Sequence, residues 1–338
     1  MIILSEEEKE KLVQISGIGP KTADKLLKNK ITLNKLATMR PDELASILKI
    51  GRGVAKKVII NAKSLQFKEW KFMTAKEYEE ERDKNTFYLS TGAKKVDRLL
   101  SYKGGLPSRT LMGLIGPIAT GKTQFIYQLL YNAVVKHEKY AVFVETEEGT
   151  FSLKRLKEMA RARGDTFDGD KVIIYPAERI ADSHTQYSAY EFVREGCRER
   201  KLDVGFWGVD SFNSLILGEY AGREMFPERS EEIRRHLYYL KEIAKEFNCC
   251  MAITCQGGQA PGRDAGELEI IKRFGLNYYP TGGTALLHNV PIWLSLNEVK
   301  KNLWRAYMFD NSLRPRGSGE FIISEKGIED VVEKKVHM

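Results

Sequence analysis

The chain has 338 residues, 42% hydrophobic and 30% charged, enough for one large domain and a small one. No apolar run approaches the roughly 20 residues that span a bilayer, and Met1-Ile-Ile-Leu-Ser-Glu-Glu-Glu lacks the basic and long apolar segments of a secretory leader. The net charge of +8 permits nucleic-acid binding without showing it. A cytoplasmic or nucleoid location is expected. The four cysteines, Cys197, Cys249, Cys250 and Cys255, lack metal-ligand spacing and read as reduced core residues.

Residues 1–62 form a small unit of their own. Gln14 to Leu27 reads as a helix end, a turn Gly17-Ile18-Gly19, and a helix with Pro20 near its start. A weaker echo runs from Leu48 to Ile59, with a turn Gly51-Arg52-Gly53. Such turns expose backbone N–H groups at helix N-termini, where a phosphate can sit. Gly17, Gly19 and Lys21 are the expected contacts, with Lys25, Arg52, Lys56 and Lys57 around them.

Residues 63–86 read as a linker, a charged tether holding Trp70-Lys-Phe-Met-Thr-Ala75. Phe72 and Ala75 have no evident core of their own. As a short extended segment they could add a strand to a neighbour's sheet edge and fill two pockets.

The large domain, residues 87–338, alternates strand and helix patterns, as in an α/β fold with a mostly parallel sheet. At its centre lie Gly116, Pro117, Ile118, Ala119, Thr120, Gly121, Lys122 and Thr123, which fit G-x-x-x-x-G-K-[ST]. The glycines let the backbone turn tightly, so that N–H groups converge on phosphate oxygens. Lys122 can reach the β- and γ-phosphates, and Thr123 can put its hydroxyl on the bridging Mg²⁺. The flanks agree: an apolar strand Thr110–Ile115 precedes, and a helix from Gln124 to Val135 follows.

Strand Tyr140–Val144 then leads to Glu145-Thr-Glu-Glu-Gly-Thr150, and further on the pattern predicts helix Leu153–Arg163, strand Lys171–Tyr175, helix Tyr187–Arg200 and strand Val204–Asp210. Asp210, closing an apolar strand, suits the Mg²⁺ shell. A hydrolase also needs a carboxylate to activate water. Glu147 and Glu148, after what reads as the strand neighbouring the phosphate loop, are the candidates. Strand register points to Glu147, and counting back from Gly149 points to Glu148.

Gly257 to Gly266 is too rich in Gly and Pro for regular structure, and long loops in compact domains are usually functional. The stretch to Tyr279 carries Arg263, Lys272, Arg273, Phe274, Tyr278 and Tyr279. Cations interleaved with aromatics suit a single strand with splayed bases.

In order, these motifs resemble the RadA recombinases of archaea and their eukaryotic counterparts, distant relatives of bacterial RecA. The resemblance covers almost the whole chain. It takes in the tandem helix-hairpin-helix, Phe72–Ala75, Gly116–Gln124, Glu147–Phe151 and Val209–Ser211, then Glu219–Glu224, Ile253–Gln256, Pro280–Gly283 and Asp310–Gly317. It implies a RecA-like P-loop ATPase core with a small all-α helix-hairpin-helix domain. ATP and Mg²⁺ would be the cofactors. Single- and double-stranded DNA, other copies of the chain in a filament or ring, and recombination mediators would be the partners. The implied activity is pairing and exchange of homologous strands in DNA repair.

By the same resemblance, Tyr220, Arg223 and Arg229 belong to a first DNA loop, and residues 257–279 form the second. Gln256 couples the γ-phosphate to that second loop. His288 lies near the γ-phosphate across a subunit interface. Arg155 stacks on adenine, and Pro315, in the same segment as Asp310, caps it from the neighbour. Departures from the family pattern are a glutamate segment one residue longer, a longer second loop, Cys255 where the family has Asn, and Arg314 and Arg316 in the cap. They leave a paralogue that binds ATP and DNA without exchanging strands as the alternative.

Overall fold

The computed structural model describes residues 2–69, 73–258, 279–311 and 314–331, in two compact units, Met1–Glu81 and Arg82–Met338. The first unit holds α1 (Ile2–Val13), α2 (Pro20–Lys28), α3 (Leu33–Thr38), α4 (Pro41–Leu48) and α5 (Arg52–Glu69). Leu12, Ala23, Leu26, Leu36, Leu44, Ala55 and Ala62 close its core.

The first glycine turn is as expected: Gly17 sits at φ +98° and Pro20 opens α2. The second differs. Its left-handed residue is Lys49, at φ +57°. Gly51 instead accepts the first helical bonds, from Val54 and Ala55, and Gly53 lies inside α5. Helix α5 also runs on to Glu69, past the expected linker boundary at 62.

The charged tether is helical in part. In α6 (Ala75–Asn85) no residue is buried. Thr74 Oγ accepts from the Glu77 amide at 3.3 Å, and the Glu77 carboxylate accepts from the Thr74 amide at 2.7 Å. This capping box starts the helix at Ala75, so the extended segment expected to reach Ala75 ends before it. Phe72 lies outside the described residues.

The second unit begins with β1 (Tyr88–Leu89), α7 (Lys94–Leu100), β2 (Leu106–Pro107), β3 (Leu111–Ile115) and α8 (Lys122–Tyr131). It continues through β4 (Tyr140–Glu145), α9 (Leu153–Arg163), β5 (Val172–Tyr175), α10 (Ser183–Glu199) and β6 (Val204–Asp210). Then come α11 (Ser214–Glu219), α12 (Phe226–Glu246), β7 (Cys250–Thr254), β8 (Gly257–Gly258), β9 (Tyr279–Pro280) and α13 (Gly283–Leu287). Last are β10 (Ile292–Lys300), β11 (Leu303–Asn311), β12 (Gly317–Ser324) and β13 (Gly327–Asp330).

Nine strands form the central sheet in the order β13-β12-β11-β10-β3-β7-β6-β4-β5. From β10 to β5 they run parallel, and β11 to β13 extend the sheet antiparallel. The fold is α/β with a mostly parallel sheet. Alternation along β3 serves two cores: Met112 and Leu114 join one, Leu111 and Ile115 the other. Gly113 is required, because a Cβ there would lie 2.3 Å from the Trp293 ring.

One expectation about strand order is corrected. The glutamate-bearing strand β4 does not neighbour β3; β7 and β6 stand between them. Apolar pattern marks a strand but carries no information on its neighbours. Helix α10 starts four residues earlier than expected, because Asp182 and Thr185 form a capping box at Ser183. The helix after the phosphate loop leaves α geometry at Tyr131, and Asn132–Lys136 continues as a π-turn.

Candidate functional site

Residues 116–121 connect β3 to α8, which opens with Lys122 and Thr123. Gly116 has no room for a side chain: a Cβ would meet Leu296 O at 2.4 Å and Thr120 Oγ1 at 2.6 Å. Gly121 (φ +89°) and Ala119 (φ +63°) turn the backbone left-handed, and Ile118 stands 96% exposed at the tip. Thr120 Oγ1 donates to Pro117 O at 2.8 Å. Lys122 Nζ donates to Gly116 O (2.9 Å) and Pro117 O (2.8 Å), folding over the loop. Burial holds the Lys122 ammonium below its usual pKa, and the nearby Asp210 and Glu147 charges oppose that shift.

Asp210 ends β6 at the same carboxyl end of the parallel strands, buried, with one oxygen accepting from Thr123 Oγ1 at 2.7 Å and the other from Thr254 Oγ1. Burial raises its pKa and the two hydroxyl donors counter it. Beside it, Glu147 Oε1 accepts from Ser211 Oγ (2.8 Å) and Gln256 Nε2 (3.3 Å). The structure brings Glu147 to this cluster.

Arg155 is tied to the end of the phosphate loop. Its Nε donates to Gln124 Oε1 at 3.0 Å, Nη2 to Ser324 O at 2.5 Å, and Nη1 to Glu158 Oε2 at 2.7 Å and Glu325 O at 3.1 Å. His288, exposed after α13, and Asp310 and Pro315, exposed on and after β11, are not brought to the cluster within this chain.

Past Asp210 the chain enters the first loop region. Asn213, fully buried, accepts from Gln256 N at 2.8 Å and donates to Thr281 O (2.7 Å) and Gln256 O (3.3 Å). Tyr220 packs half-buried at the end of α11, Arg223 is exposed, and Arg229 donates to Tyr220 O at 3.4 Å with its guanidinium 4.3 Å from the Phe226 ring. The second loop leaves through β8 and returns through β9, which pair antiparallel. Arg263, Lys272 and Arg273, with Phe274 and Tyr278, lie outside the described residues. Sequence pattern gives neither Thr254, within the stretch Ile253–Gln256, nor Asn213 a role of its own: each acts only through strand order, which sets β7 between β3 and β6.

In the first unit, Gly17, Lys21, Thr22 and Lys25 of the first turn line a cleft with Leu48, Ile50, Val54 and Val58 of the second. Gly19, at the N-cap of α2, supplies no side-chain cap, and its carbonyl accepts from Thr22 N and Ala23 N, each at 2.9 Å.

The second unit thus has the residues of a Mg²⁺-nucleotide site. Its glycines leave space where a side chain would collide, Lys122 supplies a cation, and Thr123 and Asp210 supply hard oxygen donors. Among the described residues no group of three or more His, Cys, Asp or Glu could hold a metal alone. Among the same residues no helix is long and apolar enough to cross a membrane.

A RecA-type P-loop core preceded by a tandem helix-hairpin-helix is the class that fold and site define. The Rad51 family model matches residues 82–331, and a SAM-like helix-hairpin-helix tandem matches residues 9–64. The chain belongs to the Rad51 family, and its function is of the recombinase type.

Proposed function

We propose that the chain is a DNA-dependent ATPase that assembles on single-stranded DNA, pairs it with a homologous duplex and exchanges strands in recombinational repair. The observation that carries this reading is the contact of Gln256 Nε2 with Glu147 Oε1. It joins a carboxylate of the nucleotide site to the first residue before the second loop. Bound Mg²⁺ would neutralise charge on the β- and γ-phosphates.

The amides of residues 116–121, Lys122 and Thr123 hold the phosphates, with Gln124 and Arg155 beside them. Asp210 orients Thr123 and the metal shell. Glu147 takes the proton of the attacking water. Gln256 follows the γ-phosphate and shifts the loop behind it, so that nucleotide state biases DNA affinity through differential contacts. His288, Asp310 and Pro315, remote from the cluster in one chain, complete the site from an adjacent copy. Copies join when Phe72 and Ala75 dock on a neighbour. The free side of the edge strand β5, whose residues are all half-buried, is the acceptor that fits. The helix-hairpin-helix cleft holds duplex phosphates through Gly17, Gly19 and Lys21. Tyr220, Arg223, Arg229, Arg263, Lys272 and Arg273 hold the single strand. The protein works on cytoplasmic, nucleoid-associated DNA and meets recombination mediators there.

The test is strand exchange between a circular single strand and a homologous duplex, with and without ATP. ATP-dependent joint molecules are expected. ATP and DNA binding without them would leave a paralogue, a second reading favoured by Cys255. That thiol is fully buried and lies close enough to Asp210 and Lys122 for their charges to act on it.

A further inference from the structure

Asn213 is the N-cap residue of α11, a position where an Asn side chain normally accepts from the helix amides. Here it makes no such bond. Its amide turns away and takes three partners on the roots of the second loop: Gln256 N and Gln256 O on the outgoing side, Thr281 O on the returning side. Thr281 N also donates to Gln256 O at 3.1 Å, so the two roots are bonded to each other as well. One fully buried side chain therefore spans the start of the first loop and both ends of the second.

The same segment is fixed to the nucleotide site. Ser211, two residues before, donates to Glu147, and Thr146 Oγ1 donates to Ser211 O at 2.6 Å. Phe212 N donates to Thr254 O at 2.8 Å, and Thr254 donates to Asp210. Gln256 is then held by its side chain at Glu147 and by its main chain at Asn213. A displacement of the Gln256 main chain is passed to Asn213 and on to Thr281, because a fully buried polar side chain resists losing its partners.

We propose that Asn213 is a positioning residue that locks the two loops together and to Gln256, so that the nucleotide state reaches both loops as one movement. This rests on reading the loops as DNA-holding. Asn is suited chemically, since it offers an acceptor for Gln256 N–H and donors for two carbonyls in one planar group. Ala offers neither, and Asp offers only acceptors.

The test compares the wild-type chain with Asn213→Ala and Asn213→Asp. Fluorescence anisotropy measures affinity for a poly-T strand, once with a non-hydrolysable ATP analogue and once with ADP. The wild type should bind about tenfold or more tighter with the analogue. In both variants that ratio should fall below about threefold, with ADP-state affinity changed by less than about threefold. A retained ratio in Asn213→Ala overturns the proposal. So does an equal loss in both nucleotide states, which is what simple damage to the loops would give. A wild-type ratio near one would remove the DNA-switch reading itself, and the proposal with it.

Amide exchange on the wild type provides a measurement that needs no variant to fold. With the ATP analogue and no DNA, peptides covering 212–220 and 254–258 should gain protection together. Protection of 254–258 alone would show that Gln256 moves without Asn213 and would sink the idea.

Discussion

Replacing Glu147 with Gln removes a charge and little else. Gln keeps an oxygen to accept from Ser211 Oγ, now at 2.8 Å, and from Gln256 Nε2, now at 3.3 Å. The side chain is exposed, so stability should change by no more than about 0.5 kcal/mol. What disappears is the proton acceptor. A positioned general base contributes about 10²- to 10⁴-fold. At about 1.4 kcal/mol per decade, that raises the barrier by roughly 3 to 5 kcal/mol. Phosphate release at saturating ATP and single-stranded DNA should therefore drop by about 100-fold or more. Nucleotide affinity, measured with a fluorescent ATP analogue, should stay within about fivefold, since Lys122 and Thr123 are untouched. The paired control is Glu148→Gln, which should hydrolyse ATP within about threefold of wild type. If Glu148→Gln loses hydrolysis and Glu147→Gln keeps it, the assignment of the base is wrong by one residue.

Other residues make separable predictions. His236 is fully buried among Tyr187, Tyr190 and Phe212, with Glu232 Oε1 3.1 Å from Nε2 and Arg235 adjacent; burial pushes its pKa down to about 3. The unfolded chain binds that proton near pH 6.5 and the folded chain does not, so stability is lost as pH falls below 6.5, by up to about 1.4 kcal/mol per unit. In urea titrations across this range His236→Phe should have a shallower acid dependence, and an unchanged dependence would remove His236 as its source. Arg223→Ala should make the salt dependence of single-strand binding shallower by about 0.7 in the log–log slope, one phosphate contact. Anisotropy at several salt concentrations reads this directly, and an unaltered slope and affinity would take Arg223 off the DNA. Phe72→Ala should give monomers by light scattering, because a buried Phe anchor contributes about 2 kcal/mol or more. Large assemblies persisting in the variant would show that the tether is not what joins the copies.

Much of this could be read in the chain because some local patterns have few alternatives. The phosphate loop is fixed by backbone sterics at Gly116 and Gly121, and its flanking strand and helix follow from apolar periodicity. Strand β6 ends at Asp210 as expected for the same reason. Order in the sheet was not legible, since it depends on which strands pair across long separations. Hence the misplaced neighbour of β3, and hence the silence of Thr254 and Asn213, whose partners are 44, 43 and 68 residues away. The helix α6 is a different kind of miss. Thr74-Ala-Lys-Glu77 has the spacing of a capping box, a local signal outweighed by the charge run that reads as a tether.

The ambiguity between Glu147 and Glu148 shows where register ends and the turn takes over. Glu145 pairs with Asp210 in the sheet, and its carboxylate then accepts from Phe151 N at 2.9 Å, which closes the turn that follows. Thr146 is taken up at once, its amide on Asp210 O and its hydroxyl on Ser211 O. Glu147 is the first residue past the strand with a side chain still available to the cluster, and Thr150 Oγ1 pins its carbonyl at 3.0 Å. Gly149, at φ +78°, then swings the chain back toward α9. Counting from Gly149 assumes a turn of fixed length. Counting from Asp210 uses the hydrogen bonds that hold β4 to β6, which an added residue in the turn does not move. The carboxylate that meets Ser211 and Gln256 is therefore set by the strand.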